Sequence, residues 1–474
     1  MSLVEDLVAL VGSEHVLTGE EASPYLTDWR NRYTGKCLAV VKPADTQELA
    51  DVVKLCQQAD APMVPQGGNT GLCGGATPSN KGDAVVILLS RMNKVLDIDT
   101  ANDTMTVQAG CILQDVQAAA DKAGRLFPLS LGAEGSCTIG GNLATNAGGT
   151  QVLRYGNARD LCLGLEVVTA EGDIVNTLKS LRKDNTGYDL RNLFIGSEGT
   201  LGIITAATLK LFPKPAAVTT AFLALEGFEQ AIQVLNRSKR QFDAALTGFE
   251  LISDYCLSIV QKHLSHIRIP FAVDTAPWYV LMEISDSESE EHAREMFERV
   301  IGYAFENNEI IDAVIAESIQ QSNELWHLRE AVPLAEAEVG KAIKNDISVP
   351  VSKMDEFVKI TNAKLQEFMP GIQMSVFGHL GDGNLHYNVC PPEDERKADF
   401  LTHQDEIFKI VFDSVHDFDG SISAEHGIGQ LKRDILPEYK DENAMWIMRK
   451  IKRALDPYSL LNPGKVISSV EINS

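Results

Sequence analysis

The chain has 474 residues, 44% of them hydrophobic, and a formal net charge of −24. That length exceeds what one hydrophobic core usually serves, so two or more domains are expected. The acidity excludes a phosphate backbone or an anionic membrane as partner, hence no nucleic acid, and no apolar run is long enough for a membrane span. Eight cysteines form no Cys-x-x-Cys pair and sit mostly in apolar or glycine-rich runs, the pattern of reduced, partly buried thiols. Met1-Ser2-Leu3-Val4-Glu5-Asp6 lacks the basic and apolar segments of a secretory signal, and its acids disagree with a mitochondrial presequence; the expected location is cytoplasmic.

Residues 3–11 carry apolar side chains at helical spacing, and 37–42 read as a buried strand. Pro43-Ala44-Asp45-Thr46 opens a helix to about 59 with Asp45 or Thr46 as N-cap, and 63–65 return to strand. Then comes Pro65-Gln66-Gly67-Gly68-Asn69-Thr70-Gly71, glycine-dense enough for backbone N–H groups to face an anion without Cβ obstruction. Strands at 84–89 and 97–109 and a helix at 113–123 lead to a second such stretch, 128–149, whose small and polar residues can wrap a ligand but cannot make a core. A third, Gly196-Ser197-Glu198-Gly199-Thr200-Leu201-Gly202, runs into a strand at 205–212. No Gly-x-Gly-x-x-Gly and no phosphate-loop Gly-Lys-Ser/Thr occurs, which removes the nicotinamide Rossmann and NTPase readings.

Pro213-Lys214-Pro215 marks a change of texture. Beyond it, strand-like runs at 219–225, 247–252, 278–284 and 311–316 alternate with helical ones at 228–242, 288–306 and 319–339. An antiparallel sheet with helices on one face accounts for this, so the fold class is α+β. The acidic run 286–291 reads as a solvated helix start favoured by the helix dipole.

Residues 377–388 read Phe-Gly-His-Leu-Gly-Asp-Gly-Asn-Leu-His-Tyr-Asn, a hairpin signature. With Gly381 to Asn384 as the loop, Leu380 pairs with Leu385 and His379 faces His386, their Cβ atoms about 5 Å apart; Asn388 shares that face. Downstream, a helix is expected at 398–418, and Ser423-Ala424-Glu425-His426-Gly427 sets a carboxylate beside an imidazole in a glycine-rich turn. Two His and one Glu suit zinc with an open coordination position, so His379, His386 and Glu425 are candidate ligands of a divalent metal. His426 is the candidate general base and Asn388 a candidate substrate donor.

The order Pro-x-Gly-Gly-Asn-Thr-Gly, Gly-Ser-Cys-Thr-Ile-Gly-Gly-Asn, Asn-Ala-Gly-Gly and Gly-Ser-Glu-Gly-Thr-Leu-Gly resembles the FAD-binding domain of vanillyl-alcohol-oxidase-type flavoproteins. Within that superfamily the stretch 35–466 is similar to the D-2-hydroxyglutarate dehydrogenases and their relatives, the D-lactate dehydrogenases and glycolate oxidase subunits. The resemblance implies non-covalent FAD, because relatives that bind it covalently carry His where this chain has Asn69. It implies that Gly67, Gly68, Asn69, Thr70 and Gly71 hold the pyrophosphate, with Pro65 also at the cofactor. Gly135, Ser136, Gly140, Gly141, Asn142, Thr145, Asn146 and Gly149 would line the isoalloxazine and ribityl side, and Glu198, Gly199 and Ile203 the adenine half. Asn462, in the closing segment, would reach the cofactor.

Arg329 and Lys344 match positions that hold the substrate's distal carboxylate in that family, a task a guanidinium and an ammonium suit. Where the family has Thr one helical turn after the Arg, this chain has Pro333. The implied organisation is an FAD-binding domain at 1–213, a substrate and metal cap at 214–440, and a segment at 441–474 that returns to the FAD domain. The implied reaction is oxidation of a D-2-hydroxy acid, D-2-hydroxyglutarate foremost, with hydride passing to flavin N5; lactate, malate and glycolate are the alternative substrates. Such enzymes pass electrons to an acceptor such as an electron-transfer flavoprotein or a quinone, and a homodimer is expected. The rival readings are a flavin transferase without net redox change and a non-catalytic flavin subunit.

Overall fold

A computed structural model describes residues 2–272 and 275–468. They form two compact units: residues 2–149, 156–214 and 425–468, and residues 150–155, 215–272 and 275–424.

The first unit holds two larger sheets and a two-stranded one, Arg125–Leu126 with Phe212–Pro213. In one, Ala39–Val41, Val85–Leu88 and Met63–Gln66 run parallel, with Val16–Leu17 antiparallel at the edge. Near-continuous burial of these strands suits a sheet covered on both faces. The helix Thr46–Gln58 follows Ala39–Val41, capped by the Asp45 carboxylate, which accepts the Glu48 N–H as the N-cap spacing predicts. The second sheet is antiparallel, in the order Val95–Asp99, Thr104–Gln108, Ile203–Lys210, Cys162–Val168, Ile174–Asn176.

The chain rejoins this unit at Glu425, earlier than the 441 expected from the sequence. Hydrogen bonds explain the early return: the Gln430 and Leu431 N–H groups donate to the Cys73 carbonyl, and those of Ile428 and Gly429 to the Glu198 carboxylate. The eight cysteines are free thiols, all buried except the half-exposed Cys37.

The second unit is built on a seven-stranded antiparallel sheet ordered Asp312–Ile315, Ala217–Leu225, Trp278–Asp286, Leu246–Ser253, Gln373–His379, Asn384–Cys390, Asp346–Ser348. Helices cover both faces, not one. Leu281 and Phe222 pack with Leu328 and Val332 of the helix Ile319–Val339. The next residue along the same strand, Met282, points the other way and meets Ser238 of the helix Phe228–Phe242. The outer faces of these strands are apolar too, so a single helical layer would have left them wet. The helix expected at 398–418 is regular only over Gln404–Asp417, after two short 3-10 turns.

The predicted hairpin is present with its loop one residue earlier, at 380–383. Phe377, not His379, lies directly opposite His386. Gly378 and Gly383, at φ +142° and +93°, supply the backbone that side-chain-bearing residues resist at the loop base. The slip is by an even count across the pair, so His379, His386 and Asn388 keep one face while Tyr387 turns to the Phe357 side.

Candidate functional site

In the first unit the three glycine-rich stretches converge on a cavity. Pro65, Gly67, Gly68, Asn69, Thr70, Gly71, Gly140, Gly141, Asn142, Thr145, Glu198, Gly199 and Ile203 line it, and so does His426. Two glycines show why side chains are absent. A Cβ on Gly68 would stand 2.0 Å from the Ser136 carbonyl oxygen, and one on Gly140 would stand 2.7 Å from the Ala109 Cβ. Gln66, also in the wall, donates from its Nε2 to the Tyr25 and Ala76 carbonyls, while its buried Oε1 has no partner among the described residues. A buried acceptor left open in the wall of a glycine-lined cavity fits a bound cofactor with hydroxyl or N–H donors, as FAD has.

Five residues expected at the cofactor do not line the cavity: Gly135, Ser136, Asn146, Gly149 and Asn462. Each has packing or hydrogen-bond contacts of its own. Ser136 and Gly149 belong to close backbone approaches, a Cβ on Gly149 standing 1.9 Å from the Ser130 carbonyl oxygen. Asn146 ends the helix Ile139–Thr145 in the left-handed region and accepts the Arg159 N–H. Asn462 donates to the carbonyls of Gly75 and Glu198 and so pins the closing segment. Gly135 stands 3.2 Å, by its would-be Cβ, from Gln114 Oε1.

Glu198 has a second task that its motif did not disclose. Its carboxylate accepts the N–H groups of Ile428 at 2.7 Å and Gly429 at 2.8 Å, clamping the turn that carries Glu425 and His426. Burial raises its pKa, and the two backbone donors with Lys432 and Lys465 oppose the rise. Lys465 is driven down to about 8 by burial and by Arg433. Glu425 rests against Gly148, where a Cβ would stand 2.7 Å from its Oε1.

In the second unit one sheet face gathers His379, His386, Asn388, Arg329 and Lys344. The two imidazole rings lie edge to face, centroids 5.6 Å apart. Asp346, directly opposite His386 on the neighbouring strand, brings a carboxylate oxygen 4.0 Å from the His386 Nδ1 and accepts from Asn384 at 2.9 Å. Two imidazoles and a carboxylate on one face are a donor set that fits a divalent transition metal.

Two fully buried carboxylates organise the rest. Glu250, opposite His379 in register, contacts the His379 Nδ1 at 2.5 Å and accepts from the Arg329 Nε at 2.8 Å. Burial pushes this carboxyl up, but His379 and Arg329 more than reverse that and hold it down to about 2. Glu336, two helical turns beyond Arg329, accepts from the Asn388 Nδ2 at 2.9 Å and pairs with the Lys344 Nζ at 3.2 Å. The Asn388 Oδ1 accepts the Asn345 N–H, so both ends of its amide have partners within the protein.

Glu250, Glu336 and Asp346 were not singled out from sequence. A signal existed for the first: Glu250 is a lone charge in the otherwise uncharged strand Leu246–Ser253. Glu336 carried the i+7 spacing from Arg329 that places both on one helix face.

Residues 37–178 match the family described as FAD binding domain, and residues 214–466 match FAD linked oxidases, C-terminal domain. Among solved structures, p-cresol methylhydroxylase superposes with a TM-score of 0.77 at 17% identity, covering 98% of this chain and 96% of that one. Alkyldihydroxyacetonephosphate synthase superposes at 0.73 with 20% identity, over 97% and 84%. The chain is thus an FAD-dependent oxidoreductase with the vanillyl-alcohol-oxidase-type fold.

A protein of Xanthomonas citri pv. viticola named D-2-hydroxyglutarate dehydrogenase is 41% identical over 94% of this chain and 92% of its own length. The Bos taurus protein named D-2-hydroxyglutarate dehydrogenase, mitochondrial, is 38% identical over 98% and 83%. The chain belongs to the D-2-hydroxyglutarate dehydrogenase family. Among the described residues no helix is long and apolar enough to cross a membrane.

Proposed function

We propose that this protein oxidises a D-2-hydroxy acid, D-2-hydroxyglutarate first among them, to the 2-oxo acid, using non-covalent FAD and a divalent metal, zinc by its donor set. The observation that carries the reading is the paired His379 and His386 on a sheet face backed by buried carboxylates, in a chain whose relatives bear the dehydrogenase name. His379 and His386 hold the ion, and Asp346 offers a carboxylate on the same face. Arg329 and Lys344 attract the far carboxylate of a dicarboxylic substrate. His426, in the wall of the glycine-lined cavity, takes the substrate hydroxyl proton as general base. A bound metal supplies Lewis acidity that lowers the hydroxyl pKa, and bound FAD supplies the hydride acceptor.

Both cations already answer a carboxylate, Arg329 with Glu250 and Lys344 with Glu336. The four charges cancel as a set, so attraction for a second substrate carboxylate rests on hydrogen-bond geometry more than on net charge. Pro333 has no hydroxyl where the family carries Thr, which loosens the hold on the longer acid and brings malate in beside hydroxyglutarate. The test is anaerobic mixing with D-2-hydroxyglutarate, D-malate, D-lactate and glycolate while following loss of flavin absorbance. D-2-hydroxyglutarate is expected to bleach the flavin with the highest kcat/KM. Preference for lactate would move the chain to the lactate branch, and no bleaching by any acid would favour transferase chemistry.

A further inference from the structure

The His379 imidazole and the Arg329 guanidinium come from a strand and a helix far apart in sequence, yet one carboxylate holds both. Glu250 is fully buried, its Oε1 2.5 Å from His379 Nδ1 and its Oε2 2.8 Å from Arg329 Nε. The block is closed by Phe377, two residues before His379, whose ring lies 5.0 Å from the Arg329 Cζ. An ionised carboxylate only accepts, so Nδ1 must carry the proton on this contact, and the ligating lone pair is left to Nε2. Metal-bound histidines are oriented in this way by a carboxylate on the far nitrogen.

We infer that Glu250 is a positioning residue that couples metal binding to substrate choice: one carboxylate sets the tautomer and aim of His379 and fixes the Arg329 guanidinium beside it. This rests on the metal reading given above. Neither partner can shift without disturbing the other, so loss of the carboxylate weakens the metal site and the discrimination between dicarboxylic and monocarboxylic acids together. Glutamine cannot replace it. Its amide has one acceptor and one donor end, and both neighbours are donors, so either orientation opposes an N–H to an N–H.

The test measures zinc affinity of the metal-free, FAD-loaded full chain by competition with a chromophoric chelator, with melting temperature recorded in parallel. Glu250→Gln is expected to bind zinc about 10- to 100-fold more weakly than wild type. Its KM for D-2-hydroxyglutarate should rise more than its KM for D-lactate. Glu250→Asp, which keeps two acceptor oxygens, should fall between. Glu336→Gln serves as the control for a merely structural loss, because its partners are Asn388 and Lys344, and its zinc affinity should match wild type.

Wild-type zinc affinity in both Glu250 variants overturns the coupling while leaving the metal reading standing. A wild-type protein that binds no zinc overturns the metal reading and the coupling with it. Should the variants not fold, ¹⁵N-histidine NMR of the zinc-free wild type decides, with His379 assigned by its loss in His379→Gln. An Nδ1–H tautomer is expected, and an Nε2–H tautomer overturns the proposal.

Discussion

Asn69 shows how much one side chain can settle. Its backbone sits at φ +52°, a region asparagine tolerates, and its amide donates to the Thr27 carbonyl at 2.8 Å. An amide so placed has no nucleophilic atom to bond the flavin ring. Acid precipitation is therefore expected to leave all FAD in the supernatant, and fluorescence on a denaturing gel checks it. His426 lines the same cavity on a turn anchored by Glu198. His426→Asn is expected to slow flavin reduction by about 10²-fold or more, the usual scale for a lost general base. FAD and metal content should stay at wild-type levels; loss of metal in this variant would make His426 a ligand.

At the scale of the element, the strand Trp278–Asp286 carries a buried carboxylate with no cation among its partners in the described residues. Glu283 accepts from the Trp326 indole at 2.5 Å and from the hydroxyls of Thr220 at 3.2 Å and Thr247 at 3.5 Å. Burial raises its pKa, and these neutral donors only partly offset that. A carboxyl raised in the folded state binds its proton more tightly there than in the unfolded chain. Its stabilising contribution is complete below the unfolded value, about 4.3, and is lost as pH rises through the folded one. Glu283→Gln, neutral at every pH, is thus expected to melt above wild type at pH 8 and level with it near pH 4. A gain of about 1 kcal/mol would appear as roughly 2–4 °C in a domain of 150–250 residues. Calorimetry at the two pH values checks it, and an equal difference at both would show that ionisation is not the cause.

For the whole molecule the division of labour is by unit. Every residue that lines the glycine-rich cavity belongs to the first unit, and the His379, His386 and Asp346 face belongs to the second. A chelator such as dipicolinate is therefore expected to strip the metal and abolish turnover while the visible flavin spectrum persists. Elemental analysis beside absorbance measures this, and the absence of stoichiometric metal from active enzyme would overturn it.

Local rules carried the reading far. The glycine-rich stretches, the Asp45 cap, the strands after 215 and the two-histidine hairpin were all legible, because each depends on residues within one element or one turn. So was the shared face of His379, His386 and Asn388, since strand alternation survived the one-residue displacement of the loop. What the sequence could not determine is which distant groups meet. Glu250 and Arg329 are brought together by packing of a helix on a sheet, and so are Glu336 and Asn388; neither pairing has a local signature. Gly149 and Asn462 likewise meet distant backbone, the Ser130 carbonyl for one and the Gly75 and Glu198 carbonyls for the other, contacts with no local signature. Side-chain chemistry is written residue by residue, whereas the partner that holds a buried charge in its working orientation is chosen by the tertiary structure.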